Sequence, residues 1–262
     1  NVITSSRQRW RYRKSGSDKC GIPKNKGEQE MNEYLPAIKQ LKTDLASSPK
    51  SELLAQITSK DIIVVKGRFD KVEDILTEME IEHTMFNYGI TKDVHLYPNQ
   101  IVLVNCPGDN IHCRTITDFV SLGGWLVTTD WALDRLIESA FPRTIKQSGR
   151  TRDDVVSITL CNSQITKGVI ENSQFWLEAS SHIISITDPD AVKTLIKSNE
   201  MKQKYGSETI MIGFNWGKGK VFHSISHFIL QKSKGGKTRM EDAYSSLVLL
   251  TNILAQRKVK SC

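Results

Sequence analysis

FVSLGGWLVTTD, residues 119–130, carries the clearest structural signal in the sequence. Ile116, Phe119 and Val120 recur at the spacing of one helical face. The pair Gly123-Gly124 then marks the end of that helix, because glycine readily adopts the left-handed backbone conformation at helix termini. The apolar run WLVTT follows at once and is typical of a buried strand. This stretch therefore predicts a helix that returns directly into a strand.

The same alternation extends along the first half of the chain. Apolar runs at residues 61–67 (DIIVVKG) and 100–109 (QIVLVNCPGD) predict buried strands, and a weaker strand is predicted at 83–86. Helical spacing follows the first of these runs and also follows residue 130. Strands and helices that alternate through short connections favour a mostly parallel sheet covered on both faces. The predicted fold class is α/β, a three-layer sandwich.

The second half of the chain predicts an antiparallel addition to this sheet. VVSITL, residues 155–160, is expected to be a strand, and Asp188-Pro189 is expected to start a helix that ends near Ile196. Residues 209–228 contain two apolar runs around a Gly-Lys-Gly turn. They predict a late antiparallel hairpin, which is followed by a closing helix.

The chain divides into three predicted parts: a basic arm at 1–29, a helical hairpin at 30–59 and an α/β domain at 60–262. Residues 7–26 hold eight Lys or Arg and one Asp, which accounts for the whole net charge of +7. Basic side chains that alternate with aromatic ones can contact phosphates and stack on bases. Nucleic-acid binding is therefore one hypothesis for the arm, and a solvated arm or one that docks on an acidic partner is the other. The candidate residues are Arg7, Arg9, Trp10, Arg11, Tyr12, Arg13 and Lys14.

Five cysteines, an odd number, are widely spread along the 262 residues. Their spacing fits neither a disulfide framework nor a paired zinc motif. Reduced thiols indicate an intracellular location, cytoplasmic or nuclear. No apolar run approaches the length of a membrane span, and residues 1–30 lack the apolar core of a secretory signal. Because the chain begins with Asn1, we expect it to be processed or cut from something longer.

Five segments, in this order, resemble the class I glutamine amidotransferase-like superfold, and in particular its non-amidotransferase, trehalose-utilisation-type branch. The resemblance covers roughly residues 60–255. The segments are DIIVVKG (61–67), IVLVNCPGD (101–109), FVSLGGWLVTTD (119–130), DPDAVKTLI (188–196) and WGKGKVFHSISHF (216–228).

This resemblance implies where catalytic groups would stand, and the sequence departs from the pattern there. Active amidotransferases carry a cysteine between glycines at the strained turn after the strand that corresponds to WLVTT. Here that turn reads VTTDWALD, without a cysteine or a flanking glycine and with the bulky Trp131. The family's His-x-Glu motif is also missing after His223 and His227. The resemblance therefore implies a relative that lacks the elbow nucleophile.

The predicted function is a non-catalytic binding or scaffold domain within a larger intracellular protein or complex, because some relatives of this superfold serve as interaction domains. Its partner would be a protein or another domain of the parent chain, and no cofactor is expected. The expected ligand or partner surface lies at the carboxyl ends of the strands, where open α/β sheets bind ligands. It comprises Cys106, Gly108, Asp109, Asn110, Asp130 and Trp131.

An enzymatic alternative is a hydrolase that uses Cys106 as nucleophile with His223 or His227 as base. Pro107 counts against it, since proline removes a backbone donor beside the thiol. Asp130 is a further catalytic candidate, although its position before an apolar helical pattern suits a helix N-cap.

A metal site is not predicted. The two histidines lie four residues apart, so on a strand they would share one face and could share a ligand. Asp109, His112 and Cys113 do not complete a zinc pattern with them, and no third ligand is evident from spacing.

Overall fold

The computed structural model describes residues 26–228 and 236–259, with the side chains of 26–30 excepted. The candidate nucleic-acid residues Arg7–Lys14 lie outside the described residues, so that hypothesis stays a prediction. Among the described helices, none is both long enough and apolar enough to cross a membrane.

Eight strands form one central sheet in the order β2-β1-β3-β4-β12-β11-β10-β7. The pairs β1–β2, β1–β3, β3–β4 and β4–β12 are parallel, and the remaining three pairs are antiparallel. The strands of this sheet are β1 (Ile62–Val65), β2 (Thr84–Phe86), β3 (Ile101–Val104), β4 (Trp125–Thr129), β7 (Thr159–Leu160), β10 (Val192–Lys197), β11 (Thr209–Trp216) and β12 (Gly219–Ser224).

Two small antiparallel pairs lie outside the central sheet. They are β5 (Ile145–Arg150) with β9 (His182–Ile186), and β6 (Asp154–Ser157) with β8 (Gln174–Leu177). The segment that we predicted as one strand, 155–160, therefore splits between a small sheet and the edge of the large one.

Every residue of β1, β3 and β4 is buried, so both faces of the parallel half of the sheet are covered. This burial makes the domain a three-layer α/β sandwich and confirms the predicted fold class, including the late antiparallel hairpin. The helices are α1 (Lys26–Ala46), α2 (Pro49–Ala55), α3 (Val72–Glu78), α4 (Cys113–Ser121), a π-helical turn (Leu133–Ile137) that continues into α5 (Glu138–Ala140), α6 (Asn199–Tyr205) and α7 (Met240–Val259).

The first two helices pack against the last one. The hydroxyl of Tyr244 on α7 donates to Asp44 on α1 at 2.7 Å, and Lys50 on α2 donates to Asn252 on α7. Tyr34 on α1 is 1% exposed and belongs to the same hydrophobic core as the sheet. These helices are therefore held by apolar burial as well as by polar contacts.

The predicted helix after Asp188-Pro189 is wrong. Residues 192–197 form β10, which pairs with β11 on one side and with β7 on the other. Asp188 accepts hydrogen bonds from the backbone N–H groups of Asp190 and Ala191, so it closes a turn before this strand. Over so short a segment, the spacing of the apolar residues fits a helix as well as a strand. Pairing with β11 on one side and β7 on the other stabilises the strand.

The hairpin turn that feeds β12 needs a glycine at position 219. A Cβ atom there would lie 2.2 Å from the carbonyl oxygens of Gly124 and Val120. We expect Gly219→Ala to lower the free energy of unfolding by about 1–3 kcal/mol, the usual cost of overpacking. Urea denaturation followed by circular dichroism measures this change.

Gly149→Ala is the matched control, because a Cβ there meets only the end of the Ile183 side chain at 3.3 Å. It is expected to change stability by less than about 0.5 kcal/mol. Equal effects of the two substitutions would contradict the proposed close packing at Gly219.

Candidate functional site

The turn after β4 is an elbow at the carboxyl ends of the central parallel strands. Asp130, its first residue, has a φ of 44°, a left-handed conformation that non-glycine residues rarely adopt. Its backbone N–H donates to the carbonyl of Ser224 at the end of β12, at 2.8 Å. A nucleophile elbow places its reactive side chain at such a strand-to-helix turn. In this chain an aspartate takes that position.

The carboxylate of Asp130 is bound to the loop between β8 and β9. Ser181 Oγ donates to Asp130 Oδ2 at 3.0 Å, and the backbone N–H of His182 donates to Asp130 Oδ1 at 2.8 Å. The predicted role of Asp130 as a helix N-cap is therefore wrong, and Ala132 occupies the N-cap position of the helical turn that follows. The left-handed φ explains this, since an N-cap residue needs an extended backbone.

Cys106 lies under the elbow and is fully buried. Its thiol donates to Asp130 Oδ2 at 4.0 Å, and the backbone N–H of Trp131 forms a hydrogen bond to its sulfur. Burial raises the pKa of the Cys106 thiol far above its ordinary value, and the negative charges of Asp130 and Asp70 raise it further. The Trp131 amide opposes this shift only in part. The thiolate is therefore strongly disfavoured.

His227 completes a buried group of three polar side chains. Its Nε2 lies 3.7 Å from Asp130 Oδ2, and its Nδ1 lies 4.0 Å from Glu178 Oε2. One ligand atom each from Cys106, Asp130 and His227 lies within 4.8 Å of the other two. We call these three residues the elbow cluster.

Burial favours the uncharged forms of the elbow cluster. It lowers the pKa of His227 to about 4. It raises the pKa of Asp130 to about 8, with help from the charges of Glu178 and Asp70 and against the hydrogen bonds from His182 and Ser181. An imidazole with so low a pKa is a weak base for a buried thiol whose own pKa is raised.

His223 does not join the cluster. Its Nδ1 lies 2.8 Å from Thr128 Oγ1, and burial lowers its pKa to about 3. The strand that would have put His223 and His227 on one face does not reach His227, because β12 ends at Ser224.

Trp131 lies above the buried cluster. Its ring stacks on His182 at 5.7 Å and meets the edge of Phe69 at 5.4 Å. Its Nε1 donates to the carbonyl of Ser180 at 2.9 Å. These contacts attach the elbow to two other loops.

An open cavity of about 500 Å³ adjoins the elbow. Gly108, Asp109 and Asn110, three of the predicted surface residues, line it, whereas Cys106 and Asp130 lie in the core beneath. The other lining residues are Ile90, Thr91, Lys92, Ile111, His112 and Arg135. Asp109 forms ion pairs with Arg135 and with Arg68, the latter at 3.5 Å, so opposite charges meet at the rim of this cavity.

Sequence reasoning missed several polar residues around the elbow. Asp70, which follows β1, is 1% exposed and accepts a hydrogen bond from Thr129 Oγ1 at 3.1 Å. Its place after a buried strand was a signal that could have found it, since the carboxyl ends of parallel strands meet at one edge. Ser181 and His182 come from a distant loop, and nothing in their local sequence indicates a contact with Asp130.

Comparison with known proteins supports the fold. No family model and no curated protein matches the sequence. Among solved structures, the cytoplasmic protein STM1381 from Salmonella typhimurium LT2 matches with a TM-score of 0.51 and 12% identity, over 75% of this chain and 98% of that chain. The cytoplasmic protein STM3548 from Salmonella typhimurium matches with a TM-score of 0.50 and 9% identity, over 74% and 97%.

Other matches are weaker or partial. A ThuA-like protein from Parabacteroides merdae ATCC 43184 has a TM-score of 0.49 and 12% identity, over 76% of this chain and 90% of that chain. The chain spans only 31% of a β-galactosidase from Rahnella sp. R3, with a TM-score of 0.48, 12% identity and 74% of this chain covered. At these identities the similarity concerns the fold alone.

Burial of a neutral His223 makes stability sensitive to acid. In the unfolded chain its imidazole takes up a proton near pH 6.5, whereas in the folded chain its pKa is about 3. The stability that the neutral His223 contributes is therefore present above about pH 6.5 and is lost as the pH falls toward 3. Between pH 6.5 and about 4.5 the free energy of unfolding of His223→Gln should fall by about 1–2 kcal/mol less than that of the wild type. Urea titrations at each pH measure this difference.

His95→Gln is the control, because His95 is exposed. It should leave the pH dependence of the wild type unchanged. If the free energy of unfolding of His223→Gln depended on pH as steeply as that of the wild type, His223 would be protonated in the folded state.

Proposed function

We propose that this chain is a non-catalytic binding domain of amidotransferase-like fold, which acts as a scaffold within a larger intracellular protein or complex. One observation carries the proposal: the elbow presents Asp130, whose carboxylate is turned inward and hydrogen-bonded to Ser181 and His182. A nucleophile must reach its substrate, and this side chain is 1% exposed. The turn thus has the backbone geometry of an elbow, while the side chain of Asp130 forms hydrogen bonds within the core.

The hydrolase alternative would use Cys106 and His227, but neither side chain is in a reactive state. Cys106 and His227 approach each other, but both are buried and the thiol is strongly disfavoured as thiolate. The backbone N–H of Trp131, which an oxyanion hole would require, is engaged with the Cys106 sulfur. These features favour a structural role for both residues.

The open cavity beside the elbow is the proposed partner surface. At the rim of this cavity, Asp109 forms ion pairs with Arg135 and Arg68. A partner segment that carries both acidic and basic side chains can replace these pairs with ion pairs of its own. Three described cysteines, Cys106, Cys113 and Cys161, are free thiols, which is consistent with an intracellular compartment.

Thiol reactivity tests the non-catalytic assignment. Cys113 and Cys161 are half-buried, whereas Cys106 is fully buried. We expect iodoacetamide at neutral pH to label Cys106 at least about tenfold more slowly than the other two, because only an accessible thiolate reacts. Peptide mass spectrometry measures the three rates, and labelling in urea provides the unfolded control. Preferential labelling of native Cys106 would favour the hydrolase.

Charge reversal tests the partner surface. Asp109→Lys removes the carboxylate that pairs with Arg135 and Arg68, and it should weaken partner binding at least about tenfold. Affinity capture with quantitative mass spectrometry identifies the partner, and titration with the purified partner gives the affinity.

Lys193→Glu is the matched control, since Lys193 lines a separate cavity with Asn215 and Lys220. It should leave partner binding unchanged. Equal affinities of wild type and Asp109→Lys would place the partner elsewhere, and turnover of an ester or amide by the wild type would count against a scaffold.

A further inference from the structure

Three different loops bring metal-binding atoms together in the elbow cluster. Cys106 follows β3, Asp130 follows β4 and His227 follows β12, and these strands are neighbours in the centre of the sheet. Asp130 Oδ2 lies 4.0 Å from Cys106 Sγ and 3.7 Å from His227 Nε2. A tetrahedral zinc ion with bonds of about 2.0–2.3 Å holds its ligand atoms roughly 3.3–3.6 Å apart. The third pair, Cys106 with His227, lies within 4.8 Å, so movements of up to about an ångström would close the site around an ion.

The donor set is chemically selective. One sulfur, one imidazole nitrogen and one carboxylate oxygen suit Zn²⁺ and Co²⁺, whereas Mg²⁺ and Ca²⁺ prefer oxygen ligands alone. The hydrogen bonds that hold the cluster also match the supporting contacts of metal sites. Ser181 and His182 orient the Asp130 carboxylate, and Glu178 stands 4.0 Å from the second nitrogen of His227.

We propose that Cys106, Asp130 and His227 bind one divalent transition-metal ion, for which Zn²⁺ is the best match. The ion would bind Cys106 Sγ, Asp130 Oδ2 and His227 Nε2, with water as the fourth ligand. Its binding converts the Cys106 thiol to thiolate and the Asp130 carboxyl group to carboxylate, and the protons that these groups carry are released to the solvent. Because each ligand residue is at most 4% exposed, the ion would join the three loops as a structural element. This inference is independent of the proposed scaffold function.

Cobalt spectroscopy tests the site directly. The full chain is stripped with a chelator, freed of any affinity tag and titrated with Co²⁺. We expect one equivalent to bind and to produce the near-ultraviolet charge-transfer absorption of a thiolate–cobalt bond. Cys106→Ser should abolish this absorption. His227→Gln should weaken Co²⁺ binding more than about tenfold, since it removes a ligand.

Three of the four remaining cysteines, Cys20, Cys113 and Cys262, provide the matched controls. Cys113→Ser and the double variant Cys20→Ser/Cys262→Ser should keep both the absorption and the stoichiometry. Absence of the absorption from the wild type, or its persistence in a folded Cys106→Ser variant, overturns the proposal. The partner assays with Asp109→Lys do not depend on the metal, so failure here leaves the scaffold proposal to its own test.

X-ray absorption decides the question if Cys106→Ser does not fold. The sample is the Zn²⁺-loaded Cys20→Ser/Cys262→Ser variant, which retains all three ligand residues. One sulfur at about 2.3 Å together with nitrogen or oxygen neighbours supports the site. If the zinc ion has only nitrogen and oxygen neighbours, the proposed site is wrong.

Discussion

The left-handed backbone at Asp130 is the constraint on which the arrangement of the site depends. Its N–H group joins the end of β4 to β12, and its carboxylate joins the same turn to Ser181 and His182. Because the side chain points inward, it gives Cys106 and His227 a polar neighbour within the core. Trp131, the next residue, packs against His182 and Phe69. Strain of about 1–3 kcal/mol at such a residue persists only where neighbouring contacts oppose its relaxation.

Burial determines the chemistry of this elbow. In a medium of low dielectric constant the neutral forms of the acid, the thiol and the imidazole are favoured together, which disfavours the thiolate and makes the imidazole a weak base. A divalent cation would reverse that preference, since its charge stabilises a thiolate and a carboxylate at once. The same three residues can therefore be unsuited to hydrolysis and suited to a metal ion.

Part of the fold follows from patterns that are local in sequence. The short apolar runs of β1, β3 and β4 are buried on both faces, so their composition alone identifies them. The segment 192–197 was misassigned because six residues carry too little periodicity to separate a strand from a helix. Its state depends on pairing with β11 and β7, and both lie outside the segment itself.

Residue identity along the chain was enough to identify an α/β sandwich and an elbow without a cysteine. It was also enough to select Cys106, Asp130 and His227 as chemically notable. Their proximity to one another, their burial and the inward direction of the Asp130 carboxylate depend on the folded molecule. The physical reason is that loops after β3, β4 and β12 meet only when parallel pairing aligns the carboxyl ends of these strands. The spacing of these residues in the sequence does not indicate that the three loops come together.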